Sequence, residues 1–562
     1  MSRNPLWALV VSIAMLCASA AHSQIAETKH NLSATGPGRY KVSAESEVCL
    51  PCHTPHHATS VRALWNRNLD SVTYNLYTSS TLEATLDQPT GSSRFCLSCH
   101  DGTTALSNQR VSSASPLFVG PLTGPALQGT DLSDDHPISF VYNTTLASKR
   151  GELALPAALT KMLPLDVTGQ MQCTTCHDPH DGRYRMFLRR DDRGAALCST
   201  CHILKNWTGS THATSSATWQ GIGSNPWPDS PYTTVADNGC DNCHRPHAAP
   251  RPPRLLSNVQ ERGVCLACHA GTVARDNLQL ELFKSSAHPV TSSDWIHDPR
   301  ENPAVMARHA TCTDCHNPHQ TQPTITSPPT VPGPLQGTAG VDLSGVSVKK
   351  VTYEYEVCLK CHGIRDQNTI SIVRQDNTRN VRMEINPGNL SYHPIATIGR
   401  NPNVAGLEAG YSSASIIGCT DCHNNDEWTL SGSRPRGPHG SRYAPILERE
   451  YRTNDPSAES FQSYGLCYKC HNRSSLLSDA AHTFPHRTHV VESQSTCAAC
   501  HDAHGSRQNG SLINFMLFDQ LGTAVVSRSQ QQSRLEYVSL GPGRGQCFLQ
   551  CHGVNHEPED YP

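Results

Sequence analysis

The chain has 562 residues and a formal net charge of −3, with 37% hydrophobic, 6% aromatic and 17% charged residues. An ordinary globular domain carries roughly 45–50% apolar and about 25% charged residues, so this chain is poor both in core formers and in the charges that keep a chain unfolded. The slight acidic excess disfavours a nucleic-acid partner, and 25 Cys with 31 His point to an interior built on something other than side chains.

Residues 1–23 read as a secretory signal. Arg3 gives a positive start, Leu6–Leu16 is apolar apart from Ser12, and small residues offer cleavage after Ala20 or after Ser23. The apolar run is too short to span a bilayer, and no later stretch approaches 18 apolar residues. The expectation is an exported chain with no membrane span, in a compartment where disulfides are permitted.

Beyond Cys17, every cysteine falls into a pair followed at once by histidine. In chain order these are Cys49, Cys52 and His53; Cys96, Cys99 and His100; Cys173, Cys176 and His177; Cys198, Cys201 and His202; Cys240, Cys243 and His244; and Cys265, Cys268 and His269. The second half repeats the pattern with Cys312, Cys315 and His316; Cys358, Cys361 and His362; Cys419, Cys422 and His423; Cys467, Cys470 and His471; and Cys497, Cys500 and His501. A twelfth unit, Cys547, Cys551 and His552, has one extra residue between the thiols.

Cys-x-x-Cys-His is the attachment signature of c-type haem. Two thiols add across the vinyl groups of one porphyrin edge, and the next residue brings imidazole under the iron. Zinc sites pair two Cys-x-x-Cys units or use spaced histidines, without a His after every second Cys. The expected cofactor is therefore covalent haem c, about twelve per chain, with no thiol left for a disulfide. Should one site fail to load, it is expected to be that of Cys547.

The remaining histidines supply the other axial face. His56, His180, His247 and His319 follow their motif His as His-x-Pro-His, and His504 follows His501 at the same distance. His136, His288 and His393 precede proline; His212, His439 and His486 sit among Gly, Ser or Pro; His556 follows the last motif. These make twelve distal candidates, with His30, His57, His297, His309, His482 and His489 as alternates. A histidine three residues past the motif His cannot easily wrap to the far face of the same haem, so it is expected to serve a neighbouring one. Met162, Met171, Met186, Met306, Met383 and Met516 show no recurring placement, which makes methionine ligation the minor reading.

Motif starts are 25 residues apart from Cys173 to Cys198 and from Cys240 to Cys265, against 47 and 46 for Cys49–Cys96 and Cys312–Cys358. This degenerate repeat divides the mature chain into two-haem units at 24–148, 149–225, 226–300, 301–400, 401–480 and 481–562, the last two less regular. No segment between motifs holds helical or alternating periodicity for long. Short helices are expected at each motif, near Leu278–Phe283 and near Ile446–Tyr451. Thr321–Gly340 reads as a linker or extended loop and Asn225–Pro231 as a boundary. The fold class is irregular: mostly coil, short α-helices, little strand, wrapped around a stack of c-type haems.

The stretches Lys29–Ser33 (KHNLS), Cys49–His56 (CLPCHTPH), Cys96–Thr103 (CLSCHDGT), Asp135–Phe140 (DHPISF), Cys312–His319 (CTDCHNPH) and Cys547–His556 (CFLQCHGVNH) carry a family likeness. The chain resembles the multihaem c-type cytochromes with doubled Cys-x-x-Cys-His motifs, found in metal-reducing and other respiring Gram-negative bacteria. The resemblance implies electron transfer through closely packed, low-spin haems in the periplasm or at the cell surface, toward redox proteins or extracellular acceptors. Histidine on both faces leaves iron no open position and favours low potential. Two other readings stay open. One is a reductase with one open haem, for which the motifs of His362, His423 and His471 are the least secure. The other is a structural subunit of a filament or outer-membrane conduit, with His30 placed to reach a haem of a neighbouring subunit.

Overall fold

The computed structural model describes residues 25–561, apart from 44–45, 61–62, 112–117, 119, 160–161, 293–295, 364–371, 379, 403, 405, 428–434, 479–483 and 542–543. The expected signal segment and the alternate ligand His482 lie outside the described residues. The chain divides into two compact units. The first runs through Thr208 and adds His212–Thr218 and Pro226–Val264; the second holds Gly209–Thr211, Trp219–Asn225 and Cys265–Pro562. The division falls inside the expected 226–300 unit, between the motifs of Cys240 and Cys265, and Asn225–Pro231 straddles one crossing of the chain.

Secondary structure is short because breakers are frequent. The longer helices are α1 (Gly91–His100), α2 (Glu261–His269) and α4 (Glu354–His362), each ending in a Cys-x-x-Cys-His motif, with α3 at Leu278–Leu282 between the last two. In α4 the Glu356 carboxylate accepts from the Thr352 and Tyr353 amides at 2.7 and 3.0 Å, which satisfies N–H groups that the first turn leaves open. Other motifs are single turns, such as Cys173–Cys176, Cys312–Cys315 and Cys497–Cys500. The helix expected near Ile446–Tyr451 is absent: Leu447 is extended and bridges His423 and Tyr443. Thr321–Gly340 is also more than a linker. It folds back on itself, the Gln322 amide donating to Gly333 and the Gly333 amide to Thr324.

Strand content exceeds the expectation at the C-terminus. β1 (Val526–Ser527), β2 (Glu536–Gly541), β3 (Arg544–Cys551) and β4 (Val554–Tyr561) form one antiparallel sheet, with β1 and β2 along one edge of β3 and β4 along the other. The β3–β4 turn is His552-Gly553, with φ of 51° and 78°, the two-residue geometry that twists with a hairpin. The other described sheets are two-stranded pairs.

Buried apolar side chains form several small clusters instead of the single contiguous core usual for a domain. A larger one gathers Ala498, Ala499, Phe515, Met516, Val525, Val526, Cys547, Leu549 and Tyr561 under the sheet. Another gathers Phe140, Tyr142, Leu146, Leu163 and Met171 around Cys201. Both include motif cysteines, so the side-chain core is arranged around the motifs.

Candidate haem-binding sites

In eight motifs the amide of the motif His donates to the carbonyl of the first Cys at 2.9–3.0 Å: His53, His177, His202, His244, His316, His423, His471 and His501. That bond closes one helical turn, sets the two cysteines on one side at i and i+3, and leaves the imidazole at the end of the turn. A strap then orients the ring. The Nδ1–H donates to a backbone carbonyl further along: Ala63 for His53 (2.5 Å), Met186 for His177 (2.8 Å), Arg254 for His244 (2.8 Å), Pro445 for His423 (3.0 Å) and Ser511 for His501 (2.8 Å). His316 donates likewise to Pro334, within the Pro-rich stretch, at 3.0 Å.

The next residue in five of these straps is bulky and left-handed: Leu64, Phe187, Leu255, Ile446 and Leu512, with φ of 48–60°. Such a conformation costs on the order of 1–3 kcal/mol for a non-glycine residue. It recurs where a carbonyl must be turned toward a ring, just before Trp65, Leu188, Leu256, Leu447 and Ile513 bridge back to the motif His. With Nδ1 as donor, Nε2 keeps its lone pair, the state in which histidine binds metal.

Nine motif histidines face a second imidazole. The ring centroids are 6.1–6.5 Å apart for His53–His180, His100–His30, His177–His247, His202–His136, His316–His439, His362–His288, His423–His504, His471–His393 and His501–His486. Two imidazoles on opposite sides of one metal, each bonded at about 2.0 Å with its ring centre about 1.2 Å further back, sit roughly 6.4 Å apart. The residues therefore fit a bis-histidine haem iron. His489 and His556 make a further pair at 6.4 Å.

His136, His180, His247, His288, His393, His439, His486 and His504 thus lie opposite motif histidines. His180, not His56, faces His53; the histidine three residues past one motif turns to a different motif. His56 is exposed, with no histidine ring opposite it among the described residues. His212 and His319 are half-buried. His362, His423 and His471, which lack an adjacent second histidine in sequence, all have one in space. His30 faces His100 of its own chain. Among the described residues no histidine ring faces His552, whose Nε2 lies 2.6 Å from Asp455 Oδ1. His30 and His489, alternates in the sequence, each face another imidazole although no local spacing marks them.

Burial pushes His30, His423, His471 and His501 down to about 4 and His439 to about 3, so these rings are neutral and competent as ligands at pH 7. Two of the partner rings donate to carboxylates instead of carbonyls: His247 Nδ1 to Asp135 Oδ1 at 2.9 Å, and His504 Nδ1 to Glu384 Oε2 at 3.1 Å. Cations lie near the second cysteine of other motifs. Arg67 is fully buried and donates to the Ser98, Ala105 and Leu106 carbonyls near Cys52 and Cys99.

All 24 described cysteines are free of disulfides. Burial pushes the Cys52, Cys176, Cys315 and Cys422 thiols up to about 12, the opposite of a reactive thiolate. First cysteines of successive motifs touch at four places: Cys96 with Cys173, Cys198 with Cys240, Cys358 with Cys419 and Cys467 with Cys497. Second cysteines are near neighbours across the alternate steps, as Cys52 and Cys99, or Cys176 and Cys201.

No described helix is long and apolar enough to cross a membrane. A family model described as "Doubled CXXCH motif" matches residues 166–205 and 233–274. The chain is also similar to a multiheme cytochrome MtrA of Shewanella baltica (strain OS185), 29% identical over 163 residues, which is 26% of this chain and 36% of that relative. Doubled motifs, buried imidazole pairs at metal-bridging distance and a partial likeness to a multiheme cytochrome together support covalently bound haem c in this chain.

Proposed function

We propose that the chain carries electrons one at a time along about twelve covalently attached haems, without acting as an enzyme, in anaerobic or extracellular respiration. The observation that carries this reading is the pairing of nine motif histidines with a second imidazole, in motifs whose cysteines adjoin from one to the next. Haem c, when bound, supplies one-electron exchange at its iron. The protein supplies two neutral imidazoles per site, holds each motif ring through its strap, and leaves no coordination position for substrate at those nine. Wrapping of about 45 residues per motif is too thin to insulate each site singly, so neighbouring cofactors are brought close.

The expected location is the periplasm or outer surface of a Gram-negative bacterium, with redox proteins or extracellular acceptors as partners, and assembly into a conduit or homopolymer as the structural extension of the same role. The test is the intact mass of the exported protein with paramagnetic resonance of its ferric form. Twelve haems and low-spin signals at the paired sites are expected; a dominant high-spin signal with turnover of nitrite or hydroxylamine overturns the carrier reading.

The carboxylates grade the series. A ring that donates to a carboxylate is a stronger donor to ferric iron, which lowers the site's potential. Asp135→Asn removes that charge beside His247. Losing the difference between a charged and a neutral hydrogen bond, about 1 kcal/mol, is expected to raise one potential by about 50 mV. Spectroelectrochemical titration reads it as a single shifted component.

A further inference from the structure

His297 and His309, outside the pairs given above, face each other with ring centroids 6.2 Å apart. Asp314 lies between them, its Oδ1 2.9 Å from His297 Nδ1 and 3.4 Å from His309 Nε2, which leaves no room for a porphyrin plane. Glu301 Oε2 lies 3.5 Å from the same His309 Nε2. The donor atoms of His297, His309 and Asp314 all fall within 4.8 Å of one another. We propose that His297, His309 and Asp314 form a non-haem site for a divalent transition ion of the zinc class.

Orientation and burial argue first. His309 Nδ1 lies 2.8 Å from the Ala307 carbonyl, with Nε2 on the side of Asp314. The His309 side chain is 2% exposed and that of Asp314 5%, and charged or polar groups gathered in such a buried place are paired or bound to a metal ion.

Distance argues next. Bonds of about 2.0–2.1 Å in tetrahedral geometry put neighbouring ligand atoms roughly 3.3 Å apart, and Asp314 Oδ1 lies 2.9 and 3.4 Å from the two histidine nitrogens.

Asp314 is also held as a metal ligand is held: Thr311 N and Oγ1 donate to its other oxygen at 2.7 and 3.0 Å. The same Cys-Thr-Asp-Cys-His sequence recurs at Cys419, where Arg436 faces Asp421 at 3.5 Å. An ion held by His297, His309 and Asp314 clips the 297–309 segment onto the Cys312–Cys315 turn.

The test is zinc content of the haem-loaded full chain after dialysis against Zn²⁺ and desalting. One zinc per chain is expected, falling at least tenfold in a His297→Gln/His309→Gln variant whose haem-to-protein ratio matches wild type. Wild type that keeps no zinc, or a variant that keeps as much, overturns the site. If the variant loses haem, zinc-edge X-ray absorption of wild type decides: a nitrogen–oxygen shell with imidazole scattering supports the site, and sulfur in the shell overturns it.

Discussion

Replacing His439 with methionine should raise the reduction potential of one haem by roughly 0.1–0.2 V, a fraction of the ~0.8 V that axial ligation spans. The His439 ring lies opposite His316 at 6.1 Å with planes 12° apart. It is buried, and burial holds it down to about 3, so it is a neutral donor throughout the working pH range. Methionine is close in length and apolar, and it suits the same buried place. A thioether favours ferrous iron relative to imidazole, which fixes the sign. The substitution touches one pair only, so one component of the redox titration should move while the rest stay within a few tens of millivolts, and a sulfur-to-iron charge-transfer band should appear in the ferric spectrum. His56→Met is the matched control: His56 is exposed and should shift nothing. An unchanged titration for His439→Met, with haem content preserved, would remove His439 from the ligand set.

The motif chemistry was legible in the sequence because it is local. Cysteine spacing and the following histidine are fixed within one turn, and the structure builds that turn at Cys173, Cys312 and Cys497. Partner histidines were legible as a set, but their pairing was not. His180 turns to His53, His247 to His177 and His504 to His423, each reaching back two motifs along the chain. That rule depends on how successive motifs pack, and it leaves His56, in the first motif, with nothing upstream to meet. His30 and His489 carry no spacing signature and emerge only in space. The straps were hidden for a different reason. Leu64, Phe187, Leu255, Ile446 and Leu512 adopt a left-handed backbone that their side chains disfavour, so local propensity argues against the very turn that tertiary bonding to the motif His imposes. The C-terminal sheet did have a signal. Tyr537 and Val538 suit a strand, and Gly541-Pro-Gly543 marks a turn before Arg544–Cys551, whereas the Cys547 motif by itself argues for a helical turn.

At that last motif, substitution of His556 should convert one haem's iron to high spin, whereas substitution of His552 should not. The extra residue between Cys547 and Cys551 places both on β3, where alternation puts Cys547, Leu549 and Cys551 on one face. Leu549 pairs with His556 across β3–β4, so His556 shares that face. His556 stands 6.4 Å from His489 with planes 27° apart, and His489 Nδ1 donates to the Pro485 carbonyl at 3.0 Å, the orientation seen at the strapped motif histidines. His552 instead occupies the hairpin turn, with its Nε2 on Asp455, whose other oxygen accepts from Thr496 N and Oγ1 at 2.7 and 3.0 Å. Its work is to pin the turn. His552→Ala should therefore cost about 1–3 kcal/mol of stability, the range for removing a partner from a buried charged hydrogen bond, and leave the low-spin spectrum intact. His556→Ala should keep the fold and give a high-spin ferric signal from about one haem, restored by added imidazole. Paramagnetic resonance of the two variants, alongside thermal melts, reads both effects. A high-spin signal from His552→Ala with a silent His556→Ala would return the ligand role to the residue that directly follows the cysteine.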